Sequence, residues 1–151
     1  MKISSLKDLH KFTNKISEII LPGDYLFLFG EIGVGKTTFA RQLINVFELK
    51  NNIKKSEVPS PTINILFEYE IKNIILKHYD LYRLINDEEI KNLGLFENEE
   101  KSITFIEWPE LIKNKPTNRI DLFFKYTKDM KQRMLDIKLE GRLKDYDIKI
   151  F

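Results

Sequence analysis

Residues 30–37 read Gly-Glu-Ile-Gly-Val-Gly-Lys-Thr, the spacing of a phosphate-binding loop. The chemistry of such a loop explains its residue types. Gly30, Gly33 and Gly35 permit a tight turn that aims successive backbone N–H groups at phosphate oxygens, and the dipole of the following helix adds to that field. Lys36 then reaches the β- and γ-phosphates, while the Thr37 hydroxyl ligates Mg²⁺. Gly33, Val34, Gly35, Lys36, Thr37 and Thr38 form the expected nucleotide-binding run. The loop needs a buried strand before it and a helix after it. Tyr25 to Phe29 is an apolar, aromatic run bounded by Pro22-Gly23-Asp24, and Phe39, Leu43, Ile44 and Phe47 recur at helical spacing between Thr38 and Phe47.

A nucleotide hydrolase also needs an acidic residue at a strand end to hold Mg²⁺, directly or through water. Two candidates are present, Asp80 after His78-Tyr79 and Glu107 after Ile103-Thr104-Phe105-Ile106. The Glu107 run is the cleaner apolar strand, and either acid is a candidate metal ligand and catalytic group. Thr62, framed by Ser60-Pro61, lies in a loop that this type of fold sets beside the γ-phosphate. There it would act as a switch, although a strand-capping threonine fits the spacing equally well. Trp108 follows Glu107 and precedes Pro109. Core packing is the commoner fate of a tryptophan, and its place directly after a candidate metal carboxylate is what singles it out. His10 and His78 have no paired ligand spacing, which argues against a metal role for either. The chain lacks the Asn-Lys-x-Asp and Asp-x-x-Gly segments of a GTPase, since Asp80 leads into Leu81-Tyr82-Arg83. ATP is therefore the favoured nucleotide.

These residues require a scaffold. Ser5 predicts the N-cap of a helix to about Ile20, with Leu6, Leu9, Phe12, Ile16, Ile19 and Ile20 on one face and Pro22-Gly23 as its stop. Pro59 and Pro61 hold residues 58–62 extended. Strands are expected over Ile63 to Tyr69, Ile74 to Tyr79 and Ser102 to Ile106, with a short helix between Asp87 and Gly94. Arg119 to Tyr126 and Arg133 to Leu139 read as a hairpin across Thr127 to Gln132. The fold expected is α/β, a P-loop NTPase-like three-layer sandwich with a mixed, partly parallel sheet and helices on both faces. One domain over residues 1–151 is expected from the length.

The 25 basic and 23 acidic residues leave a net charge of +2, with lysines dispersed along the chain, so charge alone does not point to nucleic acid. There is no cysteine, which removes disulfides and thiolate metal sites. Residues 1–21 lack the pattern of a signal peptide or membrane span, so a cytoplasmic protein without membrane association is expected.

Taken together, Gly30 to Arg41, Val58-Pro-Ser-Pro-Thr62, Phe67-Glu68-Tyr69, His78-Tyr-Asp-Leu-Tyr-Arg-Leu84, Leu93-Gly94-Leu95 and Ile106-Glu-Trp-Pro-Glu110 resemble the bacterial TsaE (YjeE) family. The resemblance runs through nearly the whole chain in the same order. It implies an ATPase of low intrinsic activity that assists formation of N6-threonylcarbamoyladenosine in tRNA, docks on a complex of TsaD and TsaB, and meets tRNA indirectly through that complex. ATP or ADP and Mg²⁺ would be its ligands. The resemblance assigns Thr37 and Glu107 to Mg²⁺, Asp80 to the catalytic centre, Thr62 to a switch and Trp108 to activity or partner contact. It further implies that Arg133 lies near the nucleotide and that the helix start near Ser5 approaches the adenine. The departures are small: Ile63 stands where the family often has an aromatic, and Phe96 to Lys101 is short. A small-molecule P-loop kinase is the alternative reading, disfavoured because the chain has little room for a lid and an acceptor pocket. A further reading is a non-catalytic module that holds a nucleotide only for stability.

Overall fold

The computed structural model describes residues 1–147. Its elements are β1 (Lys2–Ile3), α1 (Leu6–Ile19), β2 (Tyr25–Phe29), α2 (Lys36–Lys50), β3 (Leu66–Ile71), β4 (Ile74–Asp80), α3 (Asp87–Lys91), β5 (Ser102–Glu107), β6 (Arg119–Tyr126) and β7 (Arg133–Glu140). The strands form one sheet in the order β1-β7-β6-β2-β5-β4-β3. Strands β4, β5, β2 and β6 run parallel, and the edge pairs β3–β4, β6–β7 and β1–β7 are antiparallel.

The sheet has two unequal coats. On one face α1 and α2 bury Leu9, Phe12, Ile16, Phe39, Leu43 and Ile44 against Leu26, Leu28, Phe105 and Leu122. The Phe12 ring lies 5.7 Å from that of Phe39, which in turn meets Phe124 at 5.9 Å. On the opposite face Tyr25, Phe27, Tyr79 and Ile106 are covered by Leu81, Ile90 of α3, Leu95 and Ile112. That second layer comprises one short helix and loops, so the architecture is the expected mixed-sheet sandwich with one thick and one thin covering. Every residue of β5 is buried, as expected of a central parallel strand clothed on both sides.

Ser5 caps α1 as its sequence predicts, accepting from the Asp8 N–H at 3.2 Å. Leu6 is an exception to the predicted apolar face: it is exposed. The strand expected from Ile63 begins instead at Leu66. Ile65 takes a left-handed φ of 67°, and its N–H bonds back to the Pro61 carbonyl, so the chain turns once more before it extends. Helix α2 starts earlier than expected, at Lys36, directly out of the loop. Among the described residues no helix is long and apolar enough to cross a membrane.

Candidate nucleotide site

Parallel strands leave their carboxyl ends on one edge, and there the loop from β2 meets the ends of β4 and β5. The β4–β5 register sets Asp80 directly beside Glu107. Both carboxylates are buried. Lys36, Thr37, Thr62, Asp80, Glu107 and Trp108 line a single cleft of about 230 Å³, together with Gly33 of the loop.

The loop geometry follows from its glycines at two positions. Gly30 has φ 133°, and a Cβ there would stand 2.5 Å from the Phe124 carbonyl oxygen and 3.1 Å from Val34 Cγ1. Gly35 has φ 118° and is the N-cap of α2, with no side-chain cap. The first-turn N–H groups of α2 are therefore left for an anion to satisfy. Gly30→Ala is expected to destabilise the fold by roughly 2–4 kcal/mol, since backbone strain and an immovable carbonyl act together. A circular-dichroism melt checks this through a midpoint lowered by about 5–15 °C.

Lys36 Nζ donates to the carbonyls of Gly30 at 2.6 Å and Glu31 at 3.0 Å, and lies 3.9 Å above the Trp108 ring. Burial pushes its ammonium below the ordinary lysine value, while Glu107, Asp80 and Glu110 pull it back up. Trp108 is half-buried, with a left-handed φ of 58°, and its ring also meets Tyr82 at 4.9 Å. Its indole thus faces the cleft as well as packing on the thin layer.

Two hydroxyl–carboxylate contacts organise the floor. Thr37 Oγ1 donates to Glu107 Oε2 at 3.1 Å, and Thr62 Oγ1 donates to Asp80 Oδ2 at 2.6 Å. Asp80 Oδ1 also accepts the Tyr82 N–H at 3.0 Å, and Ser60 Oγ lies 2.8 Å from Thr62 Oγ1. Thr62 itself lies in the turn that precedes β3, and its hydroxyl bonds across the cleft. Thr62→Val keeps the branched shape and removes the hydroxyl. Amide exchange over residues 58–65 is expected to quicken about tenfold, the effect of losing one bond to a charged acceptor; hydrogen-exchange mass spectrometry reads it.

A second cleft of about 280 Å³ opens on the other side of Gly33, lined by Val34, Gly35, Thr38 and Arg133 together with Ser5 and Leu6 at the start of α1. Exposed Leu6 belongs to this mouth. Arg133 Nε donates to the Val34 carbonyl at 2.9 Å, and its guanidinium lies 4.2 Å from the Tyr126 ring centre. The β7 strand thereby grips the loop from outside. All of the sequence-predicted site residues therefore fall in two adjoining clefts that share Gly33.

His78, whose spacing argues against a metal role, joins them. His78 Nε2 is 2.9 Å from Glu107 Oε1, and both side chains are buried. Its two-residue spacing from Asp80, which puts both on one face of β4, was the available signal.

The donor set fits a hard divalent cation. Thr37 and Glu107 offer oxygens, and the neighbouring buried Asp80 adds negative charge that would repel a bare polyphosphate. Among the described residues no group of three or more His, Asp or Glu side chains forms a self-sufficient metal site. Mg²⁺ is commonly held by one or two carboxylates plus substrate phosphates.

Strand, glycine loop, helix and strand-end acids define a P-loop NTPase-like α/β protein. Residues 3–135 match the family described as threonylcarbamoyl adenosine biosynthesis protein TsaE, and the chain belongs to that family. The tRNA threonylcarbamoyladenosine biosynthesis protein TsaE of Rickettsia typhi is 34% identical over 144 residues, covering 95% of this chain and 97% of its own. The Rickettsia bellii protein of the same name is 36% identical over 131 residues, 86% of this chain and 88% of its own. In fold, the chain is similar to the crystal structure of Bacillus subtilis YdiB, with a TM-score of 0.73 and 24% identity over 95% of this chain and 87% of that one.

Proposed function

We propose that this chain is a Mg²⁺-dependent ATPase that serves N6-threonylcarbamoyladenosine modification of tRNA in the cytoplasm, docking on a TsaD–TsaB complex under control of its nucleotide state. The observation that carries the ATPase reading is the single cleft in which Lys36, the Thr37–Glu107 pair and the Thr62–Asp80 pair converge. Membership of the TsaE family supports the tRNA-modification role, and the resemblance of the Ser-Pro-Thr and Glu-Trp-Pro-Glu segments supports the partners.

In this reading the N–H groups of the loop and the Lys36 ammonium bind the β- and γ-phosphates. Thr37 and Glu107 would hold Mg²⁺, which when bound supplies charge neutralisation at the phosphoryl oxygens. Asp80 orients the attacking water, and Thr62 couples that carboxylate to the 58–65 segment. The cleft beside Arg133, Val34 and Leu6 receives the nucleoside, with Arg133 fixing the loop backbone.

The test measures phosphate release from ATP with and without TsaD and TsaB, alongside a pull-down of those proteins in ATP, in ADP and without nucleotide. Slow release and nucleotide-dependent capture are expected. Transfer of the phosphoryl group to a nucleoside panel would replace the reading with a kinase. Capture indifferent to nucleotide, with no phosphate release, would leave a static binding module.

A further inference from the structure

We propose that His78 is a positioning residue for Glu107: its imidazole turns the carboxylate so that Oε2, and not Oε1, faces Thr37 and the cation. This rests on the reading of Glu107 as a Mg²⁺ ligand.

The placement begins in the register. His78 lies opposite Phe105 and Asp80 opposite Glu107, so the imidazole reaches Glu107 along the face shared by β4 and β5. That face is the one packed under α2, where Leu76 and Phe105 join the main core. The ring has no exposed surface. Burying an imidazole there is unfavourable unless its polar atoms find partners. Nε2 has one, at 2.9 Å from Glu107 Oε1, whereas Nδ1 is buried without a hydrogen-bond partner among the described residues. A partnerless ring nitrogen is least unfavourable as a bare lone pair, which puts the proton on Nε2 and makes His78 the donor.

The consequence falls on the carboxylate. Rotation of a glutamate carboxylate about its last torsion is soft and nearly two-fold. With Oε1 held by His78 and Oε2 accepting from Thr37 at 3.1 Å, that freedom is removed. A single oxygen is presented next to the Thr37 hydroxyl, the arrangement an octahedral cation with little tolerance for misplaced ligands requires. Outer partners of metal ligands commonly set affinity by about 10–100-fold. A histidine that merely filled space would leave metal affinity alone.

The experiment measures ADP affinity by calorimetry in EDTA and across a Mg²⁺ titration, for the full chain and for His78→Gln, His78→Asn, His78→Leu and Glu107→Ala. His78→Leu is expected to keep its metal-free affinity within about twofold and to need about tenfold more Mg²⁺ for the metal-dependent gain. His78→Gln, whose amide nitrogen occupies the Nε2 position, is expected to restore the gain, and the shorter His78→Asn to fail. A folded His78→Leu with an unchanged Mg²⁺ requirement overturns the proposal. Where His78→Leu does not melt cooperatively, Gln against Asn decides, and equal behaviour of the two overturns it. A full Mg²⁺ gain in Glu107→Ala would instead remove the ligand assignment itself, and this inference with it.

Discussion

Lys36→Ala is expected to abolish useful ATP binding, with an affinity loss of about 100-fold or more, because in the proposed reading this one side chain would provide the charge-assisted contacts to two phosphates. The geometry argues that the loss is specific. Lys36 Nζ hangs between two loop carbonyls and the face of Trp108, so the ammonium is pre-held at the cleft. Lost with it are two bonds to carbonyls and one cation–π contact, which together are worth about 1–3 kcal/mol. The core beneath, from Phe39 onward, is untouched. A calorimetric titration with ATP, read beside a thermal melt, separates the effects. Unchanged affinity would sink the site assignment.

Glu107→Ala carries the second large effect. Hydrolysis dependent on Mg²⁺ is expected to fall by about 100-fold or more, the scale of removing a group that holds charge-stabilising machinery at the transition state. Removing the carboxylate also leaves the buried His78 Nε2 and the Thr37 hydroxyl without their partner. Some stability, roughly 1–3 kcal/mol, should therefore be lost too. Glu107→Gln separates the two: the amide keeps a polar group of the same shape between His78 and Thr37 but removes the charge. Phosphate-release assays on both variants with Mg²⁺ titrated check the point. Activity retained in both would transfer the metal role to Asp80, which lies beside Glu107 in the register.

The loop and its neighbours were legible because they are local. Glycine spacing, the buried run before it and the helical period after it all occupy consecutive residues, and the strand-end positions of Asp80 and Glu107 follow from apolar runs that stop at an acid. What the sequence hid is non-local. No pattern in residues 2–3 reveals β1, since two residues carry no period and depend on pairing with Met134 and Arg133. The grip of Arg133 on Val34 joins positions 99 apart in the chain, and only the family resemblance associates Arg133 with the nucleotide. His78 lacks a second ligand at metal spacing in the sequence. Its partner is a carboxylate on the neighbouring strand, visible only once β4 and β5 pair. The thin second layer was likewise obscured, because residues 81–98 cover the sheet mainly through isolated side chains such as Leu81, Ile90 and Leu95.

Strand order has a consequence for how the molecule is made. The strand carrying the phosphate loop, β2, pairs on one side with β5 and on the other with β6. Both partners lie beyond residue 101, whereas the loop spans residues 30–37 and so leaves the ribosome before either. During synthesis the glycine loop and its helix must therefore wait without either neighbour. Gly30 cannot be pressed against the Phe124 carbonyl, nor Thr37 find Glu107, until β6 and β5 respectively have emerged. Such long-range closure is slow relative to local helix formation. A nascent chain halted before β6 would hold the whole glycine-loop motif in its sequence yet lack part of the scaffold that shapes it, so the geometry of the loop is set only once β5 and β6 have both emerged.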